Sequence, residues 1–213
     1  MPLKNRVDPS GRLHAISARG TLMGNRGNLC IPGEDGPKIH RHANGRRWII
    51  CVTHYRYQVL PLATANNNTQ LFFLDEPTAL AAGHRPCARC RRDAYRAYLQ
   101  SWTKAFPDSD APDADAIDFA LHQERNLTAS ENRTYAMPLA QVPDGALVRW
   151  QHQPTLVYRG WLQHWSFAGY TPIQRIAAAA DAAEVPVLTP PSNLATLSAG
   201  YVPLVHPTAH GGS

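Results

Sequence analysis

Cys87 and Cys90 are the residues whose types and spacing most directly suggest chemistry. They form a CxxC unit, CARC, placed where a tight turn marked by Gly83 and Pro86 gives way to a helix. That spacing lets two thiolates converge on one tetrahedral ion while backbone amides point at the sulfurs. A structural zinc needs four ligands, and only two other cysteines exist, Cys51 and Cys30. Both are expected to join the set. A histidine could replace one of them, with His54 first because CVTH is a CxxH, and His40, His42 and His84 behind it. A redox pair is the competing reading of a CxxC. Here no thioredoxin-like βαβ pattern precedes it, and Arg85, Arg89, Arg91 and Arg92 surround it. Without an export signal, disulfides are a weaker use of four cysteines than Zn²⁺ ligation.

Other groups offer weaker chemistry. His40, His42 and Asn44 form an HxHxN cluster, and Asp118 and His122 stand at i, i+4 on a helical segment. Such groups suit a second metal or a general acid and base, as in a metal-dependent nuclease. A basic loop and a surface ion pair are the plainer readings. The glycines of RGTLMGNRG lack the strand and helix that a phosphate-binding loop requires, and no GxSxG, HExxH or kinase signature occurs.

The segment LFFLDEPTALAAGHRPCARCRRDAY, residues 71–95, resembles the second half of the zinc-binding domain of the Ada DNA-repair methyltransferases. An aromatic strand, an acid-capped short helix, a turn ending in RPC and a CxxC followed by basic residues occur there in this order. The resemblance implies that Cys87 and Cys90 are a ligand pair and that Arg85 and Pro86 shape the turn before them. It also implies a role in DNA repair, with DNA favoured over RNA as partner. In that family one cysteine of an earlier pair accepts a methyl group from a DNA phosphotriester. By position the acceptor here would be Cys51 or Cys30, which have twenty residues between them rather than a few. No helix-turn-helix segment and no PCHR motif follows.

Charge supports an anionic partner for the first part of the chain. The 213 residues carry a net +5, and 18 of the 21 cationic side chains are arginine. Residues 1–96 hold fifteen Lys and Arg against six Asp and Glu, whereas residues 97–213 hold six against ten. Arg41, Arg46 and Arg47 in HRHANGRRW, with Arg85, Arg89, Arg91 and Arg92 around the knuckle, are therefore the expected nucleic-acid contacts, provided the metal site brings the two stretches together. Trp48, Tyr55 and Tyr57 could stack on bases. The alternative is a solvated basic face.

The elements that must position these groups read as an α+β fold. Residues 1–47 read as loops and short strands. The β-rich run from Trp48 to Leu62 and LFFL at 71–74 predict a hairpin. Asp75 as N-cap, Pro77 in the first turn and Gly83 as stop predict a short helix. A second helix over about 90–105 follows from Tyr95, Tyr98, Leu99, Trp102 and Phe106 on one face, and a third over 115–125. The polar stretch NLTASENRTY is expected to break the third. ALVRW, TLVYR and WLQHW predict a three-stranded antiparallel meander over 146–165, PVLTP a short strand, Ser192 to Gly200 a brief helix and HPTAHGGS a frayed tail. PDSDAPDAD at 107–115 reads as a connector. The expected organisation is a zinc-stapled module over 1–108 and a smaller β-rich portion over 109–213, which could pack together as one domain. No run of eighteen apolar residues exists and MPLKNR has no leader character, so a soluble cytoplasmic protein without a membrane partner is expected.

Overall fold

The computed structural model describes residues 2–31, 38–55, 67–108, 112–131, 135–179 and 184–210. In chain order these form β1 (Arg6–Val7), β2 (Leu13–His14), β3 (Leu22–Asn25), β4 (Cys30–Ile31), β5 (Lys38–Ile39), β6 (Ile49–Cys51), β7 (Leu71–Phe73), helix α1 (Glu76–Ala81), β8 (Arg85–Pro86), α2 (Arg92–Ala105) and α3 (Ala114–Glu131). Then come β9 (Ala136–Pro138), β10 (Leu147–Trp150), β11 (Gln153–Tyr158), β12 (Trp161–Ser166), β13 (Gly169–Arg175), β14 (Glu184–Pro186) and α4 (Pro191–Ser198).

The first sheet runs β2-β1-β7-β3-β6-β8. Strands β6 and β7 were expected to pair as a hairpin, but β3 lies between them and pairs antiparallel with both. The sequence of β3 explains why it could go unnoticed. Gly24 within it interrupts the apolar alternation of a strand and Gly20 stands just before it, and a Cβ would lie 2.2 Å from the carbonyl oxygen of Ile49 at the first and of Phe73 at the second. The glycines that make this stretch look like a loop let two neighbouring backbones close on it. The expected strand beyond Tyr55 falls outside the described residues, as does Tyr57.

Helix α1 forms as its residues require. Asp75 caps it by accepting the Thr78 N–H at 3.1 Å, proline stands in its first turn, and Gly83 adopts φ +81° after it. Helix α2 buries Tyr98, Ser101 and Trp102. Helix α3 continues to Glu131, so the polar stretch expected to break it is helical in part. The meander has a fourth strand, β13, and its first two connections are two-residue turns with both residues at positive φ, Gln151–His152 and Arg159–Gly160.

One core joins the two portions. Val7, Leu71 and Phe73 from the first sheet pack in the same cluster as Tyr98, Ile117, Leu121, Val148, Leu162 and Leu197. The tail is held as far as it is described: Ala209 is buried, and its carbonyl accepts from Gln163 Nε2 at 3.2 Å. Polar ties run alongside. Asp75 accepts from Tyr170 Oη and the His206 N–H, and Glu76 accepts from Tyr201 Oη at 2.6 Å and the Leu204 N–H at 2.8 Å. Among the described residues no helix is long and apolar enough to cross a membrane.

Candidate metal centre and its cleft

Two adjacent parallel strands bring the thiols together. Ile49 pairs with Arg85 and Ile50 with Pro86, so Cys51 and Cys87 are the next residues on neighbouring chains. The Cys87 N–H donates to Ile50 O at 2.9 Å and fixes that register. The chain then turns through residues 88–90 into α2. The turn closes with the Arg91 N–H on Cys87 O at 3.1 Å and the Arg89 N–H on Cys87 Sγ at 3.4 Å. Cys90 is thereby folded back, and the Sγ atoms of Cys51, Cys87 and Cys90 all lie within 4.8 Å of one another. Cys51 is buried; Cys87 and Cys90 are half-buried.

Three sulfurs this close cannot all be anionic without a cation. Hydrogen bonds from the thiols of Cys51 and Cys90, aided by backbone amides of Cys90 and Arg89, push Cys87 far down toward the thiolate. Cys51 goes strongly the other way, its proton held by bonds to Cys87 and Cys90 and by burial. At Cys90 the pull of the Cys51 thiol is outweighed by Cys87 and burial, and the net shift is upward. A soft metal ion held there would remove this frustration by taking the place of the shared protons. Among the described residues this is the one group of three or more Cys, His, Asp or Glu side chains that converges so closely.

The fourth cysteine stands apart. Cys30, expected as a ligand, is buried at the start of β4 with its Sγ 3.3 Å from Thr69 Oγ1, and it is not one of the converging thiols. The cysteine count alone points to it, whereas the strand carrying it belongs to a separate two-stranded ribbon, β4 with β5. His54 is exposed, with Nδ1 3.2 Å from Thr53 Oγ1, and is likewise outside the group although it lines the adjoining cleft.

That cleft has a volume of about 640 Å³, and the three cysteines form part of its wall. Its floor is the face of the first sheet carrying Met23, Ile49 and Phe72. Arg6, Arg19 and Arg89 line it, with the amides of Asn25 and Asn68, and no carboxylate is among the described residues around it. The Arg6 guanidinium covers the Phe72 ring at 4.7 Å, and that of Arg89 lies 5.8 Å from the centre of the Tyr55 ring. Arg6 and Phe72 were not foreseen as site residues. Their two-residue and three-residue strands give no periodicity to read, and only the parallel pairing of Arg6 with Phe72 puts them side by side.

The other expected contacts divide sharply. Arg89 faces the cleft. Arg92, Arg41 and Arg46 are exposed but do not line it, and Arg46 lies near the half-exposed Phe119. Arg47 is exposed and pairs with Asp115 at 3.0 Å. Arg85, expected on the surface, is buried in a two-pronged ion pair with Asp118 at 2.9 and 2.7 Å. Arg91 is engaged in the same way by Glu76 at 2.6 and 2.8 Å. The loop at 40–47 and the 85–92 turn do approach one another, but through Asp118, which Arg47 reaches at 3.7 Å.

The catalytic candidates do not converge. Asp118 is committed to Arg85, and His42 Nε2 lies 3.0 Å from both Arg26 Nη1 and Gly11 O. His40 is exposed in its loop and His122 is half-buried on α3. Compared with family models, curated proteins and solved structures, the chain finds no match.

Proposed function

We propose that this chain is a zinc-thiolate protein that binds DNA, in repair or processing, through the arginine-bearing cleft beside its metal centre. The observation carrying this reading is the coincidence of three converging thiols with a cleft lined by Arg6, Arg19 and Arg89 and by no described carboxylate. Zinc suits the donors. A tetrahedral ion with Zn–S bonds of about 2.3 Å sets sulfurs about 3.8 Å apart, within the spacing of this group. Cys51, Cys87 and Cys90 would hold it, and zinc bound there would neutralise two of the three thiolate charges. Guanidinium groups in a concave surface with no carboxylate among its described residues favour a polyanion, because each phosphate contact releases condensed counterions. The resemblance of residues 71–95 to the Ada zinc domain agrees with this choice of partner.

The test is binding of the zinc-loaded chain to labelled DNA across a salt series. Affinity should fall steeply, with a slope of log K on log salt of about −2 to −3 for three phosphate contacts. Absence of binding at low salt to DNA of any form ends the reading.

A second reading, a thiolate that accepts an alkyl group, is favoured by the partial exposure of Cys87 and Cys90 on the cleft wall. The sulfur would form a new S–C bond as the C–O bond of an alkyl phosphotriester breaks, leaving a phosphodiester anion. Exposure shifts the expected acceptor from Cys51 or Cys30, both buried, to Cys87 or Cys90. Intact-mass and peptide mass spectrometry after incubation with methylated phosphotriester DNA would find or exclude the added methyl.

A further inference from the structure

We infer that the strand taken by the cleft is single: one or two unpaired nucleotides lie on the sheet face with their bases stacked, rather than a duplex resting on it. The inference rests on the DNA-binding reading and narrows it to a substrate class.

Size is the first support. A volume of about 640 Å³ falls within the range of about 300–1,000 Å³ that encloses one small-molecule-sized ligand. That is room for a nucleotide or two. A duplex, whose bases are stacked between two backbones, cannot enter such a space and could touch only its rim.

The cleft's chemistry is the second. If backbone charge were all that is read, guanidinium groups alone would serve. Here the floor is apolar, and two guanidinium–aromatic pairs stand in the same cleft, Arg6 over Phe72 at 4.7 Å and Arg89 by Tyr55 at 5.8 Å. Unpaired bases stack on surfaces of this kind, on aromatic rings and on arginine planes alike. Asn25 and Asn68 add amide groups to the wall. A side-chain amide both donates and accepts, which matches the hydrogen-bonding edge that a base exposes only when it has no pairing partner.

The thiol centre at the edge of the cleft fixes what such a strand would meet. A nucleotide seated over Ile49 and Phe72 places its backbone or base beside Cys87 and Cys90. Chemistry on an atom otherwise enclosed in a duplex requires the nucleotide to be unpaired in this way.

The experiment uses the zinc-loaded full chain and three fluorescent probes of equal length: a mixed-sequence single strand of twelve nucleotides, its duplex with the complement, and a single strand in which every base is replaced by an abasic analogue. Fluorescence anisotropy at a fixed 0.1 M salt should show the single strand binding at least tenfold more tightly than the duplex, and the abasic strand about tenfold more weakly than the normal one. Phe72→Ala should lower single-strand affinity about tenfold while changing the abasic strand little. Tyr55→Ala, at the ring beside Arg89, should do the same and guards against misfolding of the first variant. Equal or tighter binding of the duplex, or an abasic strand as good as the normal one, overturns this inference and leaves DNA binding standing. Binding of none of the probes, even at low salt, removes both.

Discussion

The two faces of the first sheet hold arginine under opposite conditions. On the inner face Arg26 is wholly buried: Nε donates to His84 Nε2 at 3.2 Å, Nη1 to Gly11 O at 2.8 Å, and its guanidinium lies 4.0 Å from the centre of Trp48. Arg125 comes within 4.2 Å of the same ring and donates to the carbonyls of Gly83 and Arg46. Burial, then the neighbouring charge of Arg125, lowers Arg26 to about 9, and burial lowers Arg125 to about 10 although Asp118 and Glu124 pull it upward. Close by, Arg85 and Arg91 are neutralised by Asp118 and Glu76. On the cleft face, Arg19 and Arg89 are exposed. The same residue type therefore builds the interior on one side and stays in contact with solvent on the other. An arginine count alone does not separate these uses.

The contrast can be broken most severely at the thiols. Substituting Cys51 or Cys87 by serine should abolish metal binding and lower the melting temperature by about 10 °C or more, as loss of a metal staple worth several kcal/mol implies. Chelation of the wild type should reproduce the shift, and a melting curve indifferent to chelator would show that the thiols staple nothing. Next in size, Asp118→Ala leaves Arg85 buried without its counter-charge and should cost about 3–5 kcal/mol by denaturant unfolding. DNA affinity of the fraction that folds should be unchanged, since neither residue lines the cleft.

A pH effect comes third. Burial first, then the positive charge of Arg26 and Arg125, holds His84 well below the usual histidine range, and its Nε2 accepts from Arg26 Nε. The unfolded chain protonates this histidine below about pH 6.5 while the folded chain does not, so stability present above that pH is lost as pH falls. The slope should approach 1.4 kcal/mol per pH unit between about pH 6 and 5. His84→Gln should flatten it, whatever it does to stability at neutral pH. The smallest expected effect sharpens the cleft side. Arg89→Ala should alter stability by less than about 0.5 kcal/mol yet reduce the salt slope of DNA binding by about one, whereas Arg92→Ala, exposed but outside the cleft, should leave the slope as it was.

What the sequence made legible is what local spacing encodes. The knuckle, the Asp75 cap, the stop at Gly83, the face of α2 and the meander turns each depend on residues within a few positions of one another. The sequence did not show what depends on partners far along the chain. β3 slips between β6 and β7 where Gly24, and Gly20 just before the strand, let the backbones close, and β8 leads Cys87 to Cys51 by parallel pairing that no short window contains. Asp118 is an instance of the same limit. Its spacing to His122 suggested a surface pair, but its partner is Arg85, 33 positions earlier, and the pair is buried. Cys30 failed for a related reason: counting thiols assigns no geometry, and its ribbon holds it against Thr69 instead.

The hub at Glu76 has a consequence for how the centre matures. One carboxylate receives Arg91, the residue next to Cys90, and also Tyr201 and the amide of Leu204. During synthesis Cys90 leaves the ribosome 111 residues before Tyr201. Until that later stretch arrives, the two bonds from Tyr201 and Leu204 that fix the Glu76 carboxylate facing Arg91 are missing. The thiols are thus made early, and the contacts that brace Arg91 beside them are completed late.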